Sequence, residues 1–257
     1  MMEPVENPNK QNRRRGIYLL PNMFTTAALF AGFYAIVASM KFNFEHAAIA
    51  IFIAMVMDGL DGRVARLTNT QSAFGAEYDS LSDMTSFGVA PALVAFNWSL
   101  SSLGKWGWLA AFMYTAGAAL RLARFNTQLG VADKTYFQGL PSPAAAATIA
   151  GLVWVGDEYH IIGHSLHYLV AVITVCVALL MVSNIKYRSF KKFDLRGKVP
   201  FVAVLMVVMA FVFISIDPPQ ILFLCVSAYV ISGPVFYVFR RRQQTIKREG
   251  SHHHKRD

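Results

Sequence analysis

The 257-residue chain is 55% hydrophobic and only 15% charged, with a formal net charge of +9. A soluble domain averages about 25% charged residues, and the apolar residues here fall in long blocks at 27–40, 47–57, 199–216 and 221–239. These features exclude an ordinary water-soluble domain. They also turn the excess positive charge away from nucleic acid and towards anionic lipid, where each juxtamembrane basic residue gains about 1 kcal/mol.

In chain order, hydropathy and helix breakers predict eight membrane spans, at approximately 20–40, 45–67, 80–100, 106–127, 142–156, 165–184, 199–216 and 219–239. A bilayer core about 30 Å thick needs roughly 20 apolar residues per helix. The first span follows a basic N-terminal segment. Its apolar run lacks a small-residue cleavage site and leads at once into further spans, so it reads as a retained helix and not a signal peptide. Pro21 is expected to start this helix, with Asn22 and Thr25 offering neutral hydrogen bonds at the boundary; a plain N-cap at Asn22 is the simpler alternative. Pro141 and Pro143 precede the fifth span, Pro200 lies near the start of the seventh, and Pro218 and Pro219 precede the eighth. Cys176 and Cys225 fall inside apolar segments and read as small packing residues. The expected fold is therefore all-α, a polytopic membrane helical bundle. One membrane domain spans 19–240, between a basic segment at 1–18 and a basic tail at 241–257.

Charge placement tests the span count independently. With the N-terminus inside, 22 of the 24 Lys and Arg fall on cytoplasmic segments, leaving only Lys41 and Lys105 outside. The positive-inside rule expects such asymmetry only for the correct number of spans. Both termini are expected in the cytoplasm. His252, His253 and His254 read as part of a disordered tail and not as a metal site.

Five of the 15 acidic residues lie between positions 58 and 83: Asp58, Asp61, Glu77, Asp79 and Asp83. Charges are costly at membrane depth and usually mark a functional site. On a helix advancing about 100° per residue, Asp58 and Asp61 lie within roughly 60° of each other, and Asp79 and Asp83 within roughly 40°. Two helices joined by a short loop would then present four carboxylates to one another. Hard divalent cations, Mg²⁺ or Mn²⁺, resolve the repulsion. Two such ions can clamp the attacking and leaving oxygens of a phosphoryl displacement. Gly62 and Gly75 leave room for a ligand to approach, while Arg63 and Arg66 can bind phosphate oxygens. An ion-paired helix end is the plainer alternative, but four aspartates outnumber two arginines.

The pattern D-x-x-D-G-x-x-A-R-x8-G-x3-D-x3-D is met without departure by Asp58, Asp61, Gly62, Ala65, Arg66, Gly75, Asp79 and Asp83. It resembles the signature of the CDP-alcohol phosphotransferase family. The resemblance implies that Asp58, Asp61, Asp79 and Asp83 bind metal, expected to be two Mg²⁺ or Mn²⁺ ions. It implies that Asp83 is also the general base for the acceptor hydroxyl. By the same resemblance, Asn22, Thr25, Gly62, Ala65, Arg66 and Gly75 border CDP-diacylglycerol. Glu77 lies outside the pattern and is left as a surface residue.

Three further stretches resemble the serine-using membrane branch of that family: Arg121-Leu-Ala-Arg124-Phe-Asn126, Phe137-Gln-Gly139-Leu-Pro141-Ser142-Pro143, and Ser183-Asn184-Ile-Lys-Tyr187-Arg-Ser-Phe190-Lys191. They make Arg121, Arg124 and Asn126 candidates for binding phosphate or the serine carboxylate, against a reading of the arginines as ordinary positive-inside anchors. The implied substrates are CDP-diacylglycerol and L-serine. The implied setting is the bilayer of a bacterial inner membrane, with a cytoplasmic active site, no nucleic-acid partner and a homodimeric state. Choline, glycerol phosphate or inositol phosphate as acceptor, and a cation transporter as a different class, stay as alternatives. Transporters often carry internal repeats, and the Asp motif occurs once.

Overall fold

The computed structural model describes the backbone of residues 8–127, 136–188 and 201–253, and side chains chiefly within 20–127, 138–187 and 205–239. The basic stretches expected at 10–15, 191–198 and 240–257 lie outside the described side chains. Among the described residues, nine α-helices run in the order α1 (Pro8–Met40), α2 (Phe44–Leu67), α3 (Ala73–Asp83), α4 (Ala90–Trp98), α5 (Lys105–Thr127), α6 (Ser142–Glu158), α7 (His167–Val182), α8 (Phe201–Ile216) and α9 (Pro218–His253). Two of them, over Leu20–Met40 and Pro218–Phe239, are long and apolar enough to cross a membrane, and His167–Val182 is a shorter apolar helix.

The helices pack through small residues. Ala28, Ala31, Ala35 and Ala38 of α1 and Ala47, Ala48, Ala50 and Ala54 of α2 are buried, and α1 makes its most extensive contacts with α2. Small side chains let backbones approach closely, which is how helices associate when lipid removes the hydrophobic drive between them. At Gly32 a Cβ would stand 2.4 Å from Ser86 Oγ, so only glycine fits that crossing. The outside is the reverse: Phe30, Trp106, Phe112, Phe211 and Phe236 are exposed. Lipid, not water, matches such a surface.

The third expected span has an interruption that periodicity did not reveal. A π-helical turn, Met84–Val89, joins α3 to α4. Such turns release carbonyls from the helical ladder and are frequent at functional sites. α5 satisfies them: Tyr114 Oη donates to Phe87 O (3.0 Å) and Thr115 Oγ1 to Gly88 O (3.3 Å). Asp83 sits at the junction, immediately before the turn.

Two expectations need correction, and the expected all-α bundle gains one detail. Pro21 lies inside α1, not at its start, because helical backbone continues upstream to Pro8; Asn22 is therefore not an N-cap. The all-α bundle also carries a short antiparallel ribbon, β1 (Tyr136–Gln138) with β2 (Lys186–Arg188). Gly139, at φ +77, follows β1 where a Cβ would stand 2.1 Å from Met181 O. Finally, α9 continues helical to His253 where a disordered tail was expected. Residues 240–248 consist largely of arginine, glutamine and lysine, which favour helix, and contain neither proline nor glycine.

Candidate active site

The end of α2, the start of α3 and the middle of α1 meet at one place. Between α2 and α3 the chain turns tightly, with Thr70 N donating to Ala65 O (3.0 Å). Ser72 then caps α3, its hydroxyl accepting from Gly75 N at 3.0 Å. This turn brings Asp79 of α3 back against Asp58 and Asp61 of α2, so that one carboxylate oxygen from each lies within 4.8 Å of the others. Asp61 is buried, while Asp58 and Asp79 are half-buried.

α1 supplies the clamp. Thr25 Oγ1 donates to Asp61 Oδ2 at 2.7 Å, and Ser82 Oγ of α3 donates to the Thr25 carbonyl at 3.1 Å. One threonine thus ties both acidic helices to α1. Thr26 Oγ1 and Tyr78 Oη lie 2.9 Å apart. Asn22 reaches the same corner, since a Cβ on Gly75 would stand 3.5 Å from Asn22 Oδ1. Asn22, Thr25 and Gly75 therefore join the site.

Asp83 occupies a different part of it. Its carboxyl is in hydrogen-bonding reach of Asp58 and within electrostatic reach of the Arg121 guanidinium. Arg121, near the C-terminal end of α5, also donates to Ser142 Oγ at the start of α6. The four aspartates thus separate into a converging trio and one carboxylate beside Asp58 that also feels the charge of an arginine. Asn126 Nδ2 donates to Ser80 Oγ (2.9 Å), linking α5 to the acidic helix one residue from Asp79. Arg124 points elsewhere: it donates to Gln138 Oε1 (2.9 Å), Val182 O (3.3 Å) and Asn184 Oδ1, bracing the β-ribbon.

Along the exposed side of α2 the motif leaves space. A Cβ on Gly59 or Gly62 would meet nothing within 4 Å. Arg63 and Arg66 are exposed beside that space, Ala65 is half-buried, and Arg66 Nε donates to Gly62 O (2.8 Å). Glu77 is exposed. Next to the site, an apolar groove of 790 Å³ runs between α1 and α2 from Asn22, Thr26 and Met57 to Tyr34 and His46.

The donors suit a divalent cation. Three carboxylates this close repel one another strongly in a poorly solvated site, and a hydrogen bond from Thr25 offsets that only for Asp61. All the converging ligands are hard anionic oxygens, the set preferred by Mg²⁺ or Mn²⁺ and not by softer metals. Sequence reasoning missed Ser82 and Tyr114 as parts of this neighbourhood. The signal available was a hydroxyl placed within a long apolar run.

The CDP-alcohol phosphatidyltransferase family profile matches residues 18–180. The chain is 37% identical over 223 residues to the CDP-diacylglycerol--serine O-phosphatidyltransferase of Helicobacter pylori, covering 87% of this chain and 92% of that protein. It is 44% identical over 158 residues to the protein of the same name from Mycobacterium tuberculosis, covering 56% of this chain and 52% of that protein. A Saccharomyces cerevisiae protein of that name is 39% identical over 139 residues, covering 49% of this chain and 50% of that protein. With the profile spanning every residue of the acidic motif, and the Helicobacter match running through nearly the whole of both proteins, this chain belongs to the CDP-alcohol phosphatidyltransferase family.

Proposed function

We propose that this protein transfers the phosphatidyl group of CDP-diacylglycerol to the hydroxyl of L-serine, giving phosphatidylserine and CMP. The observation that carries the chemistry is the convergence of Asp58, Asp61 and Asp79 within 4.8 Å, with a fourth carboxylate, Asp83, beside Asp58. Serine as acceptor draws its support from the names of the relatives and from the stretches around Arg121, Ser142 and Asn184.

Asp58, Asp61 and Asp79 would hold divalent cations, two Mg²⁺ or Mn²⁺ ions by analogy with two-metal phosphoryl transfer, and Asp83 is a candidate fourth ligand. When bound, such ions supply charge neutralisation for the diphosphate and polarise the phosphoryl group. The chain's own residues do the rest. Thr25 fixes the rotamer of Asp61. Arg66 and the open backbone at Gly62 receive the diphosphate, with Asn22, Ala65 and Gly75 bordering the nucleotide. The groove between α1 and α2 offers an apolar bed for an acyl chain leading away from the head group.

Asp83 accepts the proton from the serine hydroxyl. The freed oxygen attacks the phosphorus bearing diacylglycerol, the P–O bond to the cytidylyl phosphate breaks, and CMP leaves with the bridging oxygen. Arg121, within electrostatic reach of Asp83, is the candidate partner for the serine carboxylate, with Asn126 and Arg124 shaping the same end of α5. The protein is read as a multi-pass component of a bacterial inner membrane, its domain spanning 19–240. The charge asymmetry supports placing both termini and the site on the cytoplasmic side, and we infer a homodimer.

The test is CMP release by the purified protein with CDP-diacylglycerol and a panel of alcohols, with Mg²⁺ or Mn²⁺ and with chelator. Serine is expected to drive release at least tenfold faster than choline, glycerol phosphate or inositol phosphate, and chelation to abolish it. Preference for another alcohol would reassign the acceptor and leave the chemistry standing.

A further inference from the structure

Arg121 and Arg124 lie about one turn apart on α5, and their guanidinium groups hold opposite ends of one short segment. Arg121 donates to Ser142 Oγ at the start of α6. Arg124 donates to Gln138 Oε1 (2.9 Å) at the end of β1. Between these anchors the chain has little freedom. Gly139 N donates to Ile185 O (2.9 Å) and Leu140 N to Leu180 O (3.0 Å). Gly139 takes φ +77, and a Cβ there would stand 2.1 Å from Met181 O. Leu140 is buried, and the ring of Pro141 fixes its own φ.

Arg124 also grips the stretch to which this segment is bonded. It donates to Val182 O (3.3 Å), one of the carbonyls that the end of α7 leaves without a helical partner, and to Asn184 Oδ1. A cation is favourably placed at a helix C-terminus. One planar fork thus ties α5 both to the 138–142 segment and to the 180–185 stretch behind it. Ser142 is fully buried, so the position of its hydroxyl follows that of the segment.

We propose that Arg124 is a positioning residue for the acceptor: it holds the 138–142 segment so that Ser142 fixes the Arg121 guanidinium for the serine carboxylate. An arginine side chain has many rotamers, and one that must be ordered at the moment of binding weakens binding by the freedom it loses. Ser142 removes part of that loss beforehand, but only while it stays in place. A segment pinned along its length passes a displacement of Gln138 on to Ser142 and does not absorb it. Arg124 acts without touching serine, because its fork is already engaged with Gln138, Val182 and Asn184. The proposal rests on the reading of serine as the acceptor and of Arg121 as its partner.

The experiment measures KM for serine and for CDP-diacylglycerol, with the thermal transition, in the intact protein carrying Arg124→Gln, Ser142→Ala or both. Arg124→Gln is expected to raise the serine KM about five- to tenfold, the scale of one hydrogen bond, with the CDP-diacylglycerol KM within about twofold of wild type. Ser142→Ala is expected to do the same. The double variant should stay within about twofold of the larger single effect, because both changes remove one restraint on Arg121. Arg124→Lys should not restore the serine KM, since one ammonium on a flexible stem does not reproduce the planar fork. Phe223→Ala loosens α9 where it packs on Gly151, well along α6 from Ser142; it is expected to lower thermal stability and leave the serine KM within about twofold. An unchanged serine KM in Arg124→Gln, equal rises for both substrates, or full recovery by lysine would overturn the proposal. So would single effects that multiply in the double variant, since Arg124 would then act independently of Ser142. A serine KM raised as far by Phe223→Ala would also overturn it, by reducing Arg124 to general stability. Wild-type protein that releases no CMP with serine would overturn the acceptor reading itself, a failure visible before any variant is made.

Discussion

Asp61→Asn is expected to reduce serine-dependent CMP release by a factor on the order of 10³ or more, the scale seen when a preorganised charge-stabilising group is removed. The protein should remain folded. The introduced amide has the shape of the carboxylate and retains an oxygen that can accept from Thr25 Oγ1, so the 2.7 Å bond between α1 and α2 has a substitute. What disappears is the negative charge on the buried member of the trio. Cation affinity should therefore fall with activity while the thermal transition moves little. Mn²⁺ titration followed by electron paramagnetic resonance, beside the CMP assay, reads both quantities. Asp58→Asn and Asp79→Asn should behave alike, because each supplies one oxygen to the same cluster. Near-normal turnover by any of the three at limiting metal would break the idea of a shared cation site.

Asp83→Asn is expected to lose turnover by about 10²- to 10⁴-fold, the range of a general acid–base contribution, with CDP-diacylglycerol affinity within a few-fold of wild type. The distinction from its neighbours comes from position. Asp83 stands next to Asp58 and within electrostatic reach of Arg121, the proposed partner of the acceptor. An amide side chain there preserves volume and cannot take up a proton from the serine hydroxyl. Asp58→Ala should instead weaken cation and nucleotide binding together. Paired titrations of nucleotide affinity and serine-dependent CMP release on both variants separate the two roles. If Asp83→Asn lost nucleotide binding as badly as Asp58→Ala, Asp83 would be chiefly a ligand. If it kept wild-type turnover, the base would have to be another group.

Much of this site is legible in the sequence because its parts are local. Asp58 and Asp61 share a face by helical period alone, and the short stretch to Gly75 forces the second acidic helix to fold back. The helices at 44–67, 105–127, 142–158 and 167–182 follow the expected spans closely for the same reason. What the sequence concealed depends on contacts between distant segments. Nothing local shows that Pro21 would be carried within a longer helix, or that Tyr136–Gln138 would pair with Lys186–Arg188 across about 50 residues. The π-helical turn after Asp83 is set by Tyr114 and Thr115, hydroxyls that look like ordinary residues of an apolar helix until α5 packs against α4. Spacing groups Arg124 with Arg121, yet one turn of helix separates a guanidinium bonded to Ser142 from one engaged with the ribbon.

The most direct measurement follows the serine oxygen. Serine labelled with ¹⁸O at its hydroxyl is incubated with CDP-diacylglycerol, the purified protein and Mg²⁺ or Mn²⁺, and the products are resolved by mass spectrometry. Attack by that oxygen on the phosphorus bearing diacylglycerol places the label in the serine–phosphate bridge of phosphatidylserine and leaves CMP unlabelled. Label appearing with the cytidylyl group, accompanied by release of phosphatidic acid, would contradict the proposed reaction, as would phosphatidylserine formed without the label.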